Sequence, residues 1–412
     1  MNSKERMRLA MRAASQPESP ACRRQLPDRV PVMCQLAIGH YLLNTDVKPA
    51  ELWFSSEAFA RALVELQRRY RFDGMLINLP GRALDWRAGM RAIEDTQEGQ
   101  IVRWENGDMT VCPRDDNAHH YRLDKQTGKH LLDADCRPTI HEVDPQLIFY
   151  DDPHTEGGLK YPFYYGLEPY RPDREDYFPA RHFRTIDLVL EEVGREVSVH
   201  GEYFSPFTQL MELLGYQNAL TALIEEPDKC HTILDRYAEG CAAFGQAIAD
   251  RGVEAIIMSS AFAGAGFISR KMYEEFVVPC ERKAVMGIKE AYPELPIYTH
   301  TCGAIGDRLE LMAETGIDGI DCLDPPPLGT VDLPDAKARI GGRLFIKGNI
   351  DPVNTLLKKT REQVKEDARW RLQAAKEGGG YILSSACSVP PRAPAENLEA
   401  LAEAAEQWGR YD

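Results

Sequence analysis

The sequence predicts an α/β chain folded as a (β/α)8 TIM barrel, and two observations carry that prediction. Eight short apolar runs rich in β-branched residues recur along the 412 residues, and amphipathic helical stretches separate most of them. Strands that alternate with helices make a parallel sheet covered by helices, and eight such strands close into a barrel. A doubly wound open sheet is the rival, but no glycine fingerprint follows the first strand.

The expected strands are 29–36, 72–79, 197–204, 255–262, 296–303, 316–323, 343–350 and 381–389. An N-terminal helical extension precedes them. Helices are expected over 57–70, 229–249, 270–291, 307–315, 360–377 and 395–408, where apolar residues return every three or four positions. The interval between the second and third strands is too long for one helix. Within it, Asn106-Gly107 separates two alternating runs over 101–111, a strong hairpin signal. A second hairpin is expected over 120–132 around Thr127-Gly128. An aromatic stretch follows, with Phe149, Tyr150, Tyr161, Phe163, Tyr164, Tyr165, Tyr170, Tyr177 and Phe178. Residues 92–180 therefore read as an insertion capping the mouth of a single barrel domain spanning 1–412. For any one of these aromatics, packing on the barrel is the commoner role than substrate contact.

Composition narrows the function. Hydrophobic residues at 43% and charged residues at 27% describe an ordinary globular protein. No apolar run is long enough to span a membrane, and the N-terminus lacks a signal-peptide core, so a cytoplasmic location is expected. A net charge of −15 argues against nucleic acid, whose phosphates need a basic surface. It leaves room for a docking partner with a complementary patch and is compatible with a homo-oligomer. Ten cysteines, at 22, 34, 112, 136, 230, 241, 280, 302, 322 and 387, are too scattered for a disulfide framework.

Three residues stand out from that background. His300-Thr301-Cys302-Gly303 ends the fifth expected strand, and Cys387 lies in the eighth. On a strand, residues i and i+2 share a face, so His300 and Cys302 project together at a strand's C-terminal end, where barrel enzymes place their chemistry. One imidazole and two thiolates fit a catalytic zinc, which keeps three protein ligands and an open position. Glu202 and Asp321 are the candidate catalytic residues. Glu202 ends the third strand as a general acid, a fourth ligand, a substrate anchor or simply a structural carboxylate. Asp321, or Asp324 beside it, is placed to hydrogen-bond His300, as metal-bound histidines usually require, or to cap a loop. His200 reads as a core histidine, Cys322 as packing, and Ser259 and Ser260 as strand-end serines without a base.

Several segments resemble the uroporphyrinogen decarboxylase superfamily. Gly201-Glu202-Tyr203-Phe204-Ser205-Pro206-Phe207-Thr208 is similar to its Gly-x-x-x-x-Pro-Phe-Thr segment. His300-Thr301-Cys302-Gly303, Gly348-Asn349-Ile350-Asp351-Pro352 and the stretch from Cys387 to Asn397 resemble its corrinoid methyltransferase branch, as do Glu5-Arg6 and Asp28-Arg29-Val30-Pro31. The resemblance covers 195–410 well, the first 90 residues loosely and the insertion hardly. It implies zinc held by His300, Cys302 and Cys387, and a loop bearing Asn349 and Asp351 that faces the site as cofactor-binding residues. A turn-forming role for those two is equally open. It also implies a corrinoid, expected to arrive on a separate carrier protein. The decarboxylase branch resembles Arg-Gln-Ala-Gly-Arg-Tyr after the first strand, where this chain has Leu36-Ala37-Ile38-Gly39-His40-Tyr41 without either arginine.

The functional expectation is zinc-dependent methyl transfer from a small-molecule O-methyl donor, such as an aryl ether, to the Co(I) corrinoid of a partner protein. A large aromatic cap suits a bulky donor better than a small thiol acceptor. The alternatives are a methylcorrinoid:thiol methyltransferase of the coenzyme M type, a decarboxylase and a non-catalytic zinc-bearing subunit.

Overall fold

The structure is a computed structural model and describes residues 1–12, 25–82, 84–132, 137–150 and 177–411. Strand β1 (Gly74–Ile77) is followed by an inserted meander of β2 (Met90–Asp95), β3 (Gly99–Trp104), β4 (Met109–Pro113), β5 (His119–Leu123) and β6 (His130–Leu132). The chain then returns through β7 (Ser198–Phe204), β8 (Ala255–Ser259), β9 (Ile297–Thr301), β10 (Gly319–Cys322), β11 (Phe345–Ile350) and β12 (Tyr381–Ser385). Strands β1 and β7 to β12 form one parallel sheet in that order, with helices such as Ser56–Tyr70, Pro227–Ala249, Arg361–Ala375 and Ala395–Trp408 on its outside.

The first expected strand is the exception to the eight. Residues 29–36 run extended between β12 and β1 and make bridges rather than a ladder: Val32 pairs with Leu383 and Leu36 with Val389. The Leu383 amide donates to Pro31 O at 2.9 Å, and the Asp73 amide to Val32 O at 2.7 Å. Two local causes interrupt the pairing. Pro31 has no N–H to give, and the Val32 amide is taken by the Asp73 side chain at 2.8 Å. The segment nevertheless occupies the eighth position of the barrel.

Alternation along the strands sorts the side chains. Met75, Ile77, Ile256, Met258, Ile320, Ile346 and Leu383 face the helices. Leu76, Ala255, Ile257, Tyr298, Phe345 and Ile382 face inward and join Met33 in a second apolar cluster. The N-terminal helix Ser3–Arg12 completes this floor by inserting Met7, Ala10 and Met11. Burying each methionine is worth roughly 1.5–3 kcal/mol. Asp73, fully buried, ties the plug to the barrel: it accepts from Arg6 at 2.7 Å, Arg29 at 2.8 Å and Ser3 at 2.7 Å. Above the floor the inward positions turn polar, with His200, Glu202, Ser259, His300, Asp321 and Lys347.

Both expected hairpins of the insertion form, turning at Gly107 (φ +95°) and Gly128 (φ +68°). The β2–β6 sheet packs on the helix Pro49–Phe54, through Phe54 edge-on to Trp104 and the Gln100 side chain on the Ala50 amide at 2.9 Å. Its β4–β5 loop reaches the barrel's C-terminal side. Asp115 lies so close to Gly39 that a Cβ there would stand 2.7 Å from it, and Asp115 also pairs with Arg392 at 2.5 Å. Of the aromatic stretch, Phe149, Tyr150, Tyr177 and Phe178 cluster with one another and with Phe244 of the helix Pro227–Ala249. These four pack against the outside of the barrel. Tyr161, Phe163, Tyr164, Tyr165 and Tyr170, like Cys22 and Cys136, lie outside the described residues.

One buried acid gives the fold a pH signature. Glu281, on the helix Val278–Ala291, is fully buried; it accepts from Ser260 at 2.5 Å, and its second oxygen has no partner. Burial raises its pKa from 4.5 to about 7. The folded state therefore holds a proton that the unfolded state releases, and stability falls as pH rises from 4.5 to 7. Replacing Glu281→Gln should have little effect at pH 4.5. By pH 8 the variant should gain about 3 kcal/mol over the native chain, which denaturant unfolding at the two pH values would measure.

Candidate metal centre

Two strand ends and one turn deliver the site. His300 and Cys302 come from the end of β9, Cys322 from the end of β10, and Cys387 from the turn after β12. Their four ligating atoms all lie within 4.8 Å of one another, the one such histidine–cysteine group among the described residues. Cys302 Sγ stands 3.3 Å from His300 Nε2 and 3.6 Å from Cys387 Sγ, while Cys387 Sγ is 3.8 Å from the same imidazole nitrogen. Zinc bonds of about 2.3 Å to sulfur and about 2.0 Å to nitrogen set tetrahedron edges of roughly 3.5 to 3.8 Å. The donor set and its spacing fit a metal ion of that size.

Cys322 is the residue that strand periodicity hides. Asp321 faces inward, so strict alternation turns Cys322 outward, as the sequence reading supposed. The backbone breaks that alternation at the strand end, where Cys322 (φ +80°) and Leu323 (φ +56°) both adopt left-handed conformations unusual for bulky residues. The turn swings the Cys322 thiol into the cluster, where it donates to Asp324 Oδ2 at 3.2 Å. The same oxygen accepts from the Gly303 amide at 2.7 Å and so holds the chain just past Cys302. Cys322 is fully buried, whereas Cys302 and Cys387 are half-buried, so the cluster meets solvent on its Cys302–Cys387 side.

Below the cluster, Asp321 links three strands. It accepts from His300 Nδ1 at 2.8 Å and from Lys347 Nζ at 2.8 Å, and all three residues are buried. This fixes the imidazole with Nε2 toward the sulfurs. Burial pushes the Asp321 pKa up, but Lys347 and His300 more than offset it and keep the carboxyl ionised. Burial likewise opposes a charge on His300, yet Cys302, Asp321 and Cys387 together carry its pKa well above the ordinary histidine value. Cys302 and Cys322 hydrogen-bond Cys387 and hold its pKa well below that of a free thiol, despite burial. Burial pushes Cys322 the other way. Lys347 also escaped the sequence reading. The signal was a charged residue at an inward position of an otherwise apolar strand, which needs a buried partner.

The remaining candidates take definite places. Glu202 is buried on β7 and accepts a short hydrogen bond from Ser259, the β8 residue that pairs in register with His300. Asn349 is buried on β11 and donates to Leu323 O at 2.9 Å. Asp351 caps the turn Pro352–Leu357, accepting from the Val353 amide at 2.9 Å and the Asn354 amide at 2.7 Å. His200 bonds Ser198 and Tyr298 at 2.9 Å each, and burial lowers its pKa to about 3, so it is a neutral core residue.

A parallel barrel with a histidine–cysteine group that could hold a metal ion at the C-terminal ends of its strands has the layout of barrel proteins that carry their chemistry at the mouth. The profile of the uroporphyrinogen decarboxylase (URO-D) family matches residues 166–408, and the chain belongs to that family. The methylcobamide:CoM methyltransferase MtaA of Methanosarcina barkeri (strain Fusaro / DSM 804) is 27% identical over 223 residues, 54% of this chain and 62% of its own length. A uroporphyrinogen decarboxylase of Prochlorococcus marinus (strain MIT 9515) is 31% identical over 224 residues, 53% of this chain and 62% of its own. The chain thus spans less than two thirds of these curated relatives, which include both methyltransferases and decarboxylases. A solved methyltransferase from Methanosarcina mazei shares the fold over 99% of both chains, with a TM-score of 0.67 and 18% identity.

Asp321→Asn should leave His300 without its charged acceptor and lower metal affinity about 10- to 100-fold. Competition with a chromogenic chelator measures it.

Proposed function

We propose that this chain transfers a methyl group from an O-methyl compound to the Co(I) corrinoid of a separate carrier protein, using zinc held by His300, Cys302 and Cys387. The observation that carries the proposal is the convergence of these donors at the barrel mouth, together with the family's methylcobamide-linked members. Zinc bound there would supply Lewis acidity toward an ether oxygen, or hold a thiol as its thiolate.

The chain's own groups do the rest. Asp321 and Lys347 orient His300 and keep its Nε2 lone pair on the metal side. Glu202, bridged to Ser259, is assigned as anchor or proton donor for the leaving oxygen. Asn349 and Asp351 shape the edge of the mouth at the end of β11, and the corrinoid is assigned to that edge. Residues 92–180 are assigned as the cap of one barrel domain spanning 1–412, a reading that the Asp115 contacts with Gly39 and Arg392 support. No helix among the described residues is long and apolar enough to cross a membrane. A cytoplasmic location belongs to the same proposal.

Cys322 favours a second reading. Three thiolates and an imidazole make a more electron-rich donor set than two thiolates do. Such a set weakens Lewis acidity toward an ether and favours holding a thiol as nucleophile, as a methylcorrinoid:thiol methyltransferase requires.

The deciding experiment offers the purified chain methyl ethers with cob(I)alamin and, separately, thiols with methylcobalamin, after zinc analysis. Appearance of the methylcobalamin spectrum from an ether is expected, with loss of at least about a hundredfold in rate in Cys302→Ala. Thiol-dependent demethylation alone would select the second reading. A zinc-free protein, unaffected by Cys302→Ala, would sink both. Formation of coproporphyrinogen from uroporphyrinogen would instead establish decarboxylation.

A further inference from the structure

The turn that ends β10 is built on an uncommon backbone. Cys322 (φ +80°) and Leu323 (φ +56°) are consecutive left-handed residues, and Arg71 is the one other non-glycine residue with positive φ among the described residues. Arg71 caps a helix, where that conformation is common. At a strand end it is not. Sparsely populated backbone persists only where its surroundings hold it, and it gathers at functional sites. Extended backbone would send the Cys322 side chain to the face opposite Asp321. The left-handed turn instead brings its sulfur into the group of His300, Cys302 and Cys387, where all four ligating atoms lie within 4.8 Å of one another.

Neighbouring chain holds that turn from both sides. Asn349 of β11, itself buried, donates Nδ2–H to Leu323 O at 2.9 Å. Gly348 pairs in register with Cys322 and lets β11 come close: a Cβ there would stand 2.6 Å from Cys322 O. On the other side, the buried Asp324 places Oδ2 3.2 Å from Cys322 Sγ and 2.7 Å from the Gly303 amide. The Val331 amide fixes the Asp324 carbonyl at 3.1 Å. A cysteine that only filled space would need none of this, because a thiol packs as a small apolar group. Cys112, Cys230, Cys241 and Cys280 do so, buried in the core on ordinary backbone.

The backbone therefore spends an unfavourable turn on presenting one sulfur to three other metal donors. We propose that Cys322 is a fourth ligand of the metal, and that Asn349 is the positioning residue that holds its turn in place. The resting site is then a four-coordinate set of three thiolates and one imidazole. Metal binding takes the sulfur without its proton, and the Asp324 carboxylate, already the hydrogen-bond acceptor of Cys322, receives that proton. The inference rests on the zinc reading above and is independent of the direction of methyl transfer. With either substrate, an incoming oxygen or sulfur would have to displace a ligand or enlarge the metal's shell.

The test counts sulfurs around the metal. X-ray absorption at the zinc edge of the zinc-loaded full chain should show three sulfur neighbours at about 2.3 Å and one nitrogen at about 2.0 Å. This measurement needs no variant. Cys322→Ser should leave two sulfurs. Asn349→Ala should do the same, although it removes no ligand, and should lower zinc affinity about tenfold. Asn349→Leu, similar in size but without the N–H donor, should match it. With cobalt(II) in place of zinc, the thiolate-to-cobalt charge-transfer band, scaled to bound metal, should fall by about a third in each variant. A purely structural role for Asn349 predicts a lower melting temperature with all three sulfurs retained, and that result would overturn its positioning role. Two sulfurs in the native chain, or three retained in Cys322→Ser, would overturn the fourth ligand. A native chain that takes up no zinc would overturn this inference together with the zinc reading. Methyl transfer is read separately: three sulfurs without transfer in either direction would uphold the fourth ligand and count against the methyl-transfer reading.

Discussion

A carboxylate buried as completely as Asp321 stays ionised only when charged donors reach it from more than one side. Lys347 from β11 and His300 from β9 do so, each at 2.8 Å. Breaking such a buried pair typically costs about 3–5 kcal/mol, so the three neighbouring strands are locked in register at the height of the site. The same bonds commit His300 Nδ1 to the carboxylate and leave Nε2 for the sulfurs. The atoms that lock the strands are the ones that orient the imidazole.

Around that lock the barrel is divided by height. Its lower end is closed by methionines of the N-terminal helix and by the Arg6–Asp73–Arg29 network. Its upper end gathers the sulfur and nitrogen donors of β9, β10 and the turn after β12. Only the half-buried Cys302 and Cys387 face outward from the cluster. A molecule entering from the mouth would therefore meet the sulfurs of Cys302 and Cys387 first. The inserted sheet leans on this end through Asp115, touching both the helix after the first barrel segment and the chain beyond Cys387.

Much of this was legible in the residues. Alternation of strands and helices identified the barrel, and the i, i+2 rule put His300 beside Cys302. Asn106-Gly107 and Thr127-Gly128 announced their hairpins, because those turns need residues that tolerate positive φ. Other features were not. The 29–36 run has the composition of a strand, yet Pro31 and the Asp73 side chain remove the hydrogen bonds that would make it one. Packing on the barrel was the expected role for any one of the aromatic residues from 149 to 178, but the partner was not: Tyr150 and Phe178 meet Phe244, and Phe149 and Tyr177 pack on Phe178.

What the sequence determined by itself is whatever depends on local repetition: the period of strands and helices, the turn residues, and the pairing of His300 with Cys302 on one strand face. What only the tertiary structure decided depends on where the period fails and on which distant residues meet. Left-handed backbone at Cys322 and Leu323 adds a fourth donor that alternation had turned away. Closure of the barrel brings Lys347 to Asp321. Periodicity is a property of neighbours in the chain, whereas a site is a property of neighbours in space. Here the two coincide at His300 and Cys302 and diverge at Cys322, because a strand end is where the backbone is free to turn.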